Sequence, residues 1–340
     1  MKSNNPRLFT APIFCACLLG NALLAVAQSA DKQITTFDVS ANTQTVPTSI
    51  SGRGEIAGYY LDATGVAHGF TRDKDGTIAT FDAPGAGTHG TFPVSINGRG
   101  EIAGYYYGSS VFVTHAFVRE SDGKITAFDV GPNTQTFPAS INSKGEITGY
   151  YNDAGFPHGF IRAADGTIST FFVLGPNSIT FPASINSRGE ITGSCNDAGG
   201  THGFVRREDG GINTFDAGPN GTVPASINSK GEITGYYLAP GGQHGLLVHG
   251  FLRHSDGSIA SFDADPPIVG TYAQSINQRG EITGFYYDAN ILIHGFVRAS
   301  DGVITTFDAG SIANGTLPTS INRRGDITGS YRGNGFLRSR

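Results

Sequence analysis

The sequence predicts an all-β fold: a seven-bladed β-propeller of four-stranded antiparallel blades, closed by the N-terminal strand joining the last blade. Three observations carry this expectation. A unit of about 42–49 residues recurs along nearly the whole chain, and periods of this length mark stacked or radial repeat architectures. Each copy holds four short runs rich in Ile, Val, Thr, Tyr and Phe, separated by turn residues. The series opens with a lone fourth strand, Ile34–Val39, and ends with a third strand, Gly335–Arg338, that has no fourth after it. The two ends are complementary fragments of one unit. Pairing them would cover both exposed edges, whereas an open solenoid gives no reason for the match.

Composition agrees. The 340 residues include 49 Gly, 16 Pro and no Trp, which suits short strands and many turns and suits long helices poorly. The formal net charge is −5. A mildly acidic chain lacks the basic surface of a general nucleic-acid binder, so no nucleic-acid partner is expected. Residues 1–27 read as a signal peptide: Lys2 and Arg7 precede an apolar run from Leu8 to Val26, and Ala25-Val26-Ala27 offers a cleavage site. The apolar part is too short for a membrane anchor. Cleavage leaves residues 28–340 as a single domain with 21 bases against 28 acids, a net of −7. It also removes Cys15 and Cys17. Cys195 is then alone and cannot form an internal disulfide, so packing must hold the fold. Cys195 stands where other copies have Tyr106, Tyr151 or Tyr237, and reads as a small buried substitute rather than a nucleophile.

Taken in order, each copy begins at a Ser-Ile pair: Ser49, Ser95, Ser140, Ser184, Ser226, Ser275 and Ser320, spaced 46, 45, 44, 42, 49 and 45 residues apart. A Gly-Glu/Asp-Ile pattern follows at Gly54, Gly100, Gly145, Gly189, Gly231, Gly280 and Gly325. A His-Gly-Phe relative comes next, then a strand ending in Phe, usually Phe-Asp. In the second copy the strands are expected at Phe92–Asn97, Glu101–Tyr106, Thr114–Arg119 and Lys124–Asp129. Asn97-Gly98-Arg99-Gly100 and Ser121-Asp122-Gly123 supply the turns, with Asn folding back on its own backbone and Gly taking positive φ. Apolar residues fall on both faces of the strands, so each sheet must be covered on both sides. Gly58, Gly104, Gly149, Gly193, Gly235, Gly284 and Gly329 hold one position in the second strand, where a bulky ring from the same or the neighbouring sheet must come close. The loops before the third strand vary. Ser109–Val113, His244–Leu247 and Ile291–Ile293 are expected to lengthen strands rather than form a binding edge.

The pattern Ser-Ile-Asn, Gly-Glu-Ile-x-Gly-Tyr, then His-Ala/Gly-Phe resembles the bacterial extracellular HAF repeat family; His115-Ala116-Phe117 spells the motif, and Asn334-Gly335-Phe336 departs from it. The likeness spans about Ile34 to Arg338. It implies an exported repeat protein and carries over no common activity and no catalytic residue.

Candidate chemistry is sparse. The six histidines His68, His115, His158, His202, His249 and His294 sit on third strands. Equivalents in neighbouring blades would be roughly 10–15 Å apart, too far to share a metal, so they are expected to hydrogen-bond within each blade; no metal or other cofactor is expected. The first turns carry Arg53, Arg99, Lys144, Arg188, Lys230, Arg279 and Arg324, a possible anion-binding ring on one face. Glu55, Glu101, Glu146, Glu190, Glu232, Glu281 and Asp326 stand close enough to neutralise it. Asp38, Asp82, Asp129, Asp216, Asp263 and Asp308 end fourth strands, with Phe172 breaking the series. These, and Asp62, Asp153, Asp197 and Asp288 in loops of the same end, read as turn caps, since no loop has calcium-binding spacing. Nucleophile-elbow, zinc-protease and phosphate-loop motifs are missing. The expectation is a secreted, periplasmic or cell-surface monomer that binds glycans or surface ligands without catalysis. A protein–protein scaffold is the alternative, and a polysaccharide-acting enzyme a more distant one.

Overall fold

The computed structural model describes residues 33–340 except 42, 88, 110–112, 133, 154, 242–244, 265–269 and 312–314. The expected signal peptide, residues 1–27, and parts of two variable loops, 110–112 and 242–244, lie outside the described residues. Among the described residues every regular element is a strand, and no helix is long and apolar enough to cross a membrane.

The strands form successive antiparallel meanders. The first comprises β2 (Gln44–Ile50), β3 (Ile56–Leu61), β4 (Ala67–Arg72) and β5 (Ile78–Phe81), and follows β1 (Ile34–Phe37) in the chain. The second is β6 (Thr91–Ile96), β7 (Ile102–Tyr107), β8 (Thr114–Arg119) and β9 (Ile125–Phe128). The third is β10 (Gln135–Ile141), β11 (Ile147–Asp153), β12 (Phe156–Arg162) and β13 (Ile168–Phe171). The fourth is β14 (Ile179–Ile185), β15 (Ile191–Asp197), β16 (Gly200–Arg206) and β17 (Ile212–Phe215). The fifth is β18 (Thr222–Ile227), β19 (Ile233–Pro240), β20 (Leu246–Arg253) and β21 (Ile259–Phe262). The sixth is β22 (Gly270–Ile276), β23 (Ile282–Tyr287), β24 (Ile293–Arg298) and β25 (Ile304–Phe307), tied to the fifth by one parallel bridge, Val248↔Gly270. The last sheet holds β26 (Thr316–Ile321), β27 (Ile327–Tyr331) and β28 (Asn334–Arg338), and its fourth strand is β1, antiparallel to β28 with Phe37 opposite Gly335. The N-terminal strand thus supplies what the C-terminal unit lacks. It is shorter than the expected Ile34–Val39, because Asp38 and Val39 already turn away.

Why these residues form these strands is clearest in the third sheet. Thr148, Gly149 and Ile147 are buried in β11 and Gly159 and Phe160 in β12, so the strands are covered on both faces. A bulge between Pro138 and Ser140 absorbs a Pro that cannot donate to the ladder. It recurs at the same place in every sheet, with Ala273 in the proline's position in the sixth. The hairpin turns use Gly100 at φ 85° and Gly123 at φ 93°, conformations that an L side chain disfavours.

The strand-two glycines do admit a close neighbour, but the one common to all seven is backbone: a Cβ on any of them would lie 2.0–2.5 Å from a strand-one carbonyl oxygen at the bulge, and a third-strand ring joins it at Gly58, Gly104, Gly235 and Gly284. A Cβ on Gly104 would sit 2.5 Å from the Phe117 ring and 2.5 Å from the Phe92 carbonyl oxygen. That ring, and its counterparts Phe70, Phe160, Phe204, Phe251, Phe296 and Phe336, are fully buried. Where a ring is the visitor, it comes from the third strand of the same sheet.

Adjacent sheets share a repeated clasp. The Phe that ends one fourth strand meets the buried third-strand Phe of the next sheet edge-on, and an Arg two residues beyond that Phe lies over its face. Phe81 is 6.3 Å from Phe117 with Arg119 4.7 Å above it. Phe307 is 6.1 Å from Phe336 with Arg338 4.7 Å away. Phe37 of β1 is 6.2 Å from Phe70 with Arg72 at 4.9 Å, so the last and first sheets meet as the others do. Burial against these rings lowers the pKa of Arg72, Arg119 and Arg338. Cation–π contacts of this kind contribute about 0.5–2 kcal/mol each. The variable loops are mixed. Leu246 and Leu247 do extend β20. Ile291 does not lengthen β24: it is 67% exposed at φ 64° in a turn capped by Asp288.

Candidate ligand site on the turn face

In an up-and-down meander the turn between strands one and two and the turn between strands three and four fall at the same end. That end carries the basic ring. Its foundation is a buried asparagine in the first turn. Asn186 accepts from the backbone N–H groups of Arg188 and Glu190 at 2.9 and 3.0 Å, and donates to Glu190 Oε2 at 2.7 Å and to the Asn228 carbonyl of the next sheet at 2.9 Å. The same inter-sheet bond runs from Asn97 to Asn142, Asn142 to Asn186, Asn228 to Asn277, Asn277 to Asn322, and Asn322 to Ser51, at 2.9–3.2 Å. Ser51 replaces the asparagine in the first unit. Its hydroxyl keeps the local contacts, accepting from Arg53 and Glu55 N–H and donating to Glu55 Oε2 at 3.1 Å. It cannot reach onward to Asn97.

Six of the ring cations are matched with the carboxylate two residues on. Arg99–Glu101, Arg188–Glu190 and Arg279–Glu281 are 2.6 Å apart and Arg324–Asp326 is 2.8 Å. Lys144–Glu146 and Lys230–Glu232 are looser, at 4.0 and 3.9 Å. Hydrogen bonds from Asn277 and Arg279 outweigh burial and hold the Glu281 carboxyl below its usual range. Arg53 is different: among the described residues it has no ion pair. Glu55, its would-be partner, is bonded to Ser51 instead. Arg99, Arg188 and Arg279 also reach over the glycine of the following turn, at Gly145, Gly231 and Gly325. Gly100, which should receive Arg53, does not.

The exception lies beside two further cations that the other units do not have. Arg323 stands where other copies place Gly, Ser or Gln, and Lys74 where they place Ser, Ala or Glu. Both are exposed, and neither forms an ion pair among the described residues. With Gly52, Arg53, Glu55, Asp73, Asp75 and Arg324 they line a cleft of roughly 440 Å³ between the last and first sheets. The cleft at Arg188, Gly231 and Ser255, between the fourth and fifth sheets, has only about 140 Å³. Hydrogen bonds from Thr77 keep the Asp75 carboxyl below its ordinary range, so the cleft presents both signs of charge at neutral pH. The sequence shows Lys74 and Arg323, but a search for repeated features passes over residues that occur once.

The histidines lie at the opposite end of the sheets. Nδ1 of His68, His115, His202, His249 and His294 meets Asp82, Asp129, Asp216, Asp263 and Asp308 at 2.8–3.0 Å. The expected hydrogen bonding within the sheet is therefore present for five. These strand-end aspartates hold histidines rather than cap turns, a correction that follows from the strand-three and strand-four register. Three of the loop aspartates do cap: Asp62 accepts from Thr64 and Val66 N–H, Asp197 from Gly199 N–H, and Asp288 from Asn290 and Leu292 N–H; Asp153 instead ends β11. His68, His202 and His294 also face a second carboxylate through Nε2. The two ring nitrogens point apart, so these carboxylates do not converge on a metal, and among the described residues no such cluster is formed. His158 is the exception. Phe172 replaces its aspartate, the rings meet at 4.6 Å, and the buried Nδ1 has no partner among the described residues. Cys195 is fully buried opposite His202, and burial, with Asp197 and Asp216 nearby, pushes its thiol up to about 11.

No family model matches the chain, and no curated protein sequence does. Solved structures do. Virginiamycin B lyase from Staphylococcus aureus, as a catalytically inactive variant with quinupristin, superposes with a TM-score of 0.60 at 14% identity, over 90% of this chain and 99% of the other. A streptogramin B lyase gives 0.59 at 13% identity over 90% and 96%. Hydrazine synthase from Kuenenia stuttgartiensis gives 0.58 at 10% identity over 86% and 95%. Identities this low bear on fold alone, and they put the chain among the β-propellers.

Proposed function

We propose that the chain is a closed seven-bladed β-propeller of the extracellular HAF repeat type, exported to the periplasm or cell surface as a monomer, and that it acts without catalysis as a binding module for glycans or other surface ligands. The observation that carries the binding reading is the contrast on the turn face. Six ring cations are matched to carboxylates of their own turns, whereas Arg53, Lys74 and Arg323 are left for a ligand in the widened cleft of the seam. A repeated, self-satisfied scaffold with one place where repetition lapses suits recognition at that place. The possible anion-binding ring therefore narrows to the seam.

The test is binding of the purified chain from Gln28 to Arg340 to a glycan and polyanion array at low and high salt. Glycan binding is the expected result. No binding under either condition would remove the reading. A scaffold role for protein partners is the second reading, favoured by one observation. Phe156, Phe172 and Leu174 are each about two-fifths exposed, and Phe172 lies against His158 of β12. Partner capture abolished by Phe172→Asp, with glycan binding absent, would favour it.

A further inference from the structure

We infer that the seam cleft recognises an acidic saccharide, a sugar ring carrying one carboxylate among neutral hydroxyls, and not a polyanion. The inference rests on the binding reading above and gives its ligand a chemistry.

The argument begins with what the cleft offers. Arg53 and Arg323 present planar guanidinium forks, which match a carboxylate bidentately, and Lys74 adds a point charge. All three are exposed and free of ion pairs among the described residues. Arg324 is already held by Asp326 at 2.8 Å and forms wall. Arg323 is packed against the backbone of Gly52, where a Cβ would lie 3.4 Å from its Nε. This holds the fork at the lip of the cleft with part of its freedom already lost.

The same cleft holds Glu55, Asp73 and Asp75. A chain of phosphates or sulfates entering it would meet three carboxylates, and like charges at close range repel. A ligand with a single negative group does not face this conflict. It can set its carboxylate on the arginines while its hydroxyls donate to the acids. Carboxylates are acceptors only, so they select groups that carry donors, as sugar hydroxyls do. A cleft of roughly 440 Å³ lies in the range of small-ligand sites.

The test is titration calorimetry of the purified protein with a panel of uronate disaccharides and their methyl esters, which keep the shape and lose the charge. Variants take residues that this chain uses at the equivalent turns: Arg323→Gly, as at Gly98, and Lys74→Ser, as at Ser121. Both are exposed turn positions, and thermal melts check that folding is kept. At low salt the acids bind, and esterification weakens binding by about tenfold or more, as expected for a charge-assisted contact. The double variant loses a similar factor. Arg188→Gly, at a paired site of the same ring, changes nothing. Acid and ester binding equally, or the double variant binding as the parent does, would overturn the seam site and leave the glycan-binding reading intact. Binding only to neutral glycans would do the same. No saccharide bound at all would overturn both.

Discussion

Replacing Asn186 probes the ring of inter-sheet hydrogen bonds directly, because Ser51 already shows what a partial replacement looks like. Asn186→Ala removes two acceptor contacts to backbone N–H, one bond to the Glu190 carboxylate and one to the next sheet. A neutral bond contributes about 1 kcal/mol net and one to a charged group about 1.5–3 kcal/mol. The two turn amides can partly regain water, so a loss of about 3–4 kcal/mol is expected. Asn186→Ser should behave differently. A serine there can accept from the two amides and donate to the glutamate, as Ser51 does, and forfeits the reach to Asn228. Its cost should be about 1 kcal/mol. The converse change, Ser51→Asn, restores the missing donor to the Asn97 carbonyl and should return a similar amount. The assay is equilibrium urea denaturation, comparing midpoints at unchanged slope. Equal losses for Ala and Ser at position 186 would refute the division into local and inter-sheet bonds. A Ser51→Asn variant no more stable than the parent would refute the role assigned to the gap.

Three other outcomes follow from the same geometry. Deleting Ile34–Phe37 bares the edge of β28 and removes the ring beneath Arg72; light scattering should show concentration-dependent association, and an unchanged monomer would count against closure by this strand. Gly149→Val drives a side chain into the Phe137 carbonyl and to within 2.7 Å of Pro138 Cα; overpacking against backbone should cost about 3 kcal/mol or more, read as a clear fall in melting temperature. The third outcome concerns pH. Asp216, with Asp197, raises the His202 pKa, so this pair's stabilisation is complete below the unfolded value near 6.5 and fades as pH rises through the folded one. Asp216→Asn should therefore cost more at pH 5.5 than at pH 8.5, though under about 1 kcal/mol for so exposed a pair; a pH-independent difference would be contrary evidence.

Much of this architecture can be read from the chain because each structural device is written several times. The strand boundaries in the second unit move by at most one residue from expectation: β6 is Thr91–Ile96 against Phe92–Asn97, and β8 agrees. Gly104 and its equivalents announce a close neighbour, and the neighbour common to them all is the strand-one carbonyl at the bulge, with the Phe117 ring beside it at Gly104. What stayed hidden depends on register across strands. His115 and Asp129 are 14 residues apart, and only the pairing of β8 with β9 brings them together. Arg119 over Phe81 crosses between sheets, and period-two reasoning within one strand has no view of that. The seam was hardest to see, since Ser51, Lys74 and Arg323 look like ordinary drift in turn sequences until the fold sets them side by side.

The pairing of β1 with β28 also orders events in time. Of the described strands β1 leaves the ribosome first, and its hydrogen-bonding partner β28 leaves last. While the chain is being synthesised, the last sheet lacks most of its strands and Phe37 has no β28 beside it. Contacts that span nearly the full length form late because so much chain entropy must be lost first. Local hairpins can assemble as they emerge, but the sheet that joins β1 to β28 waits for the last of its strands. A sheet built this way stays unfinished until β28 has been made.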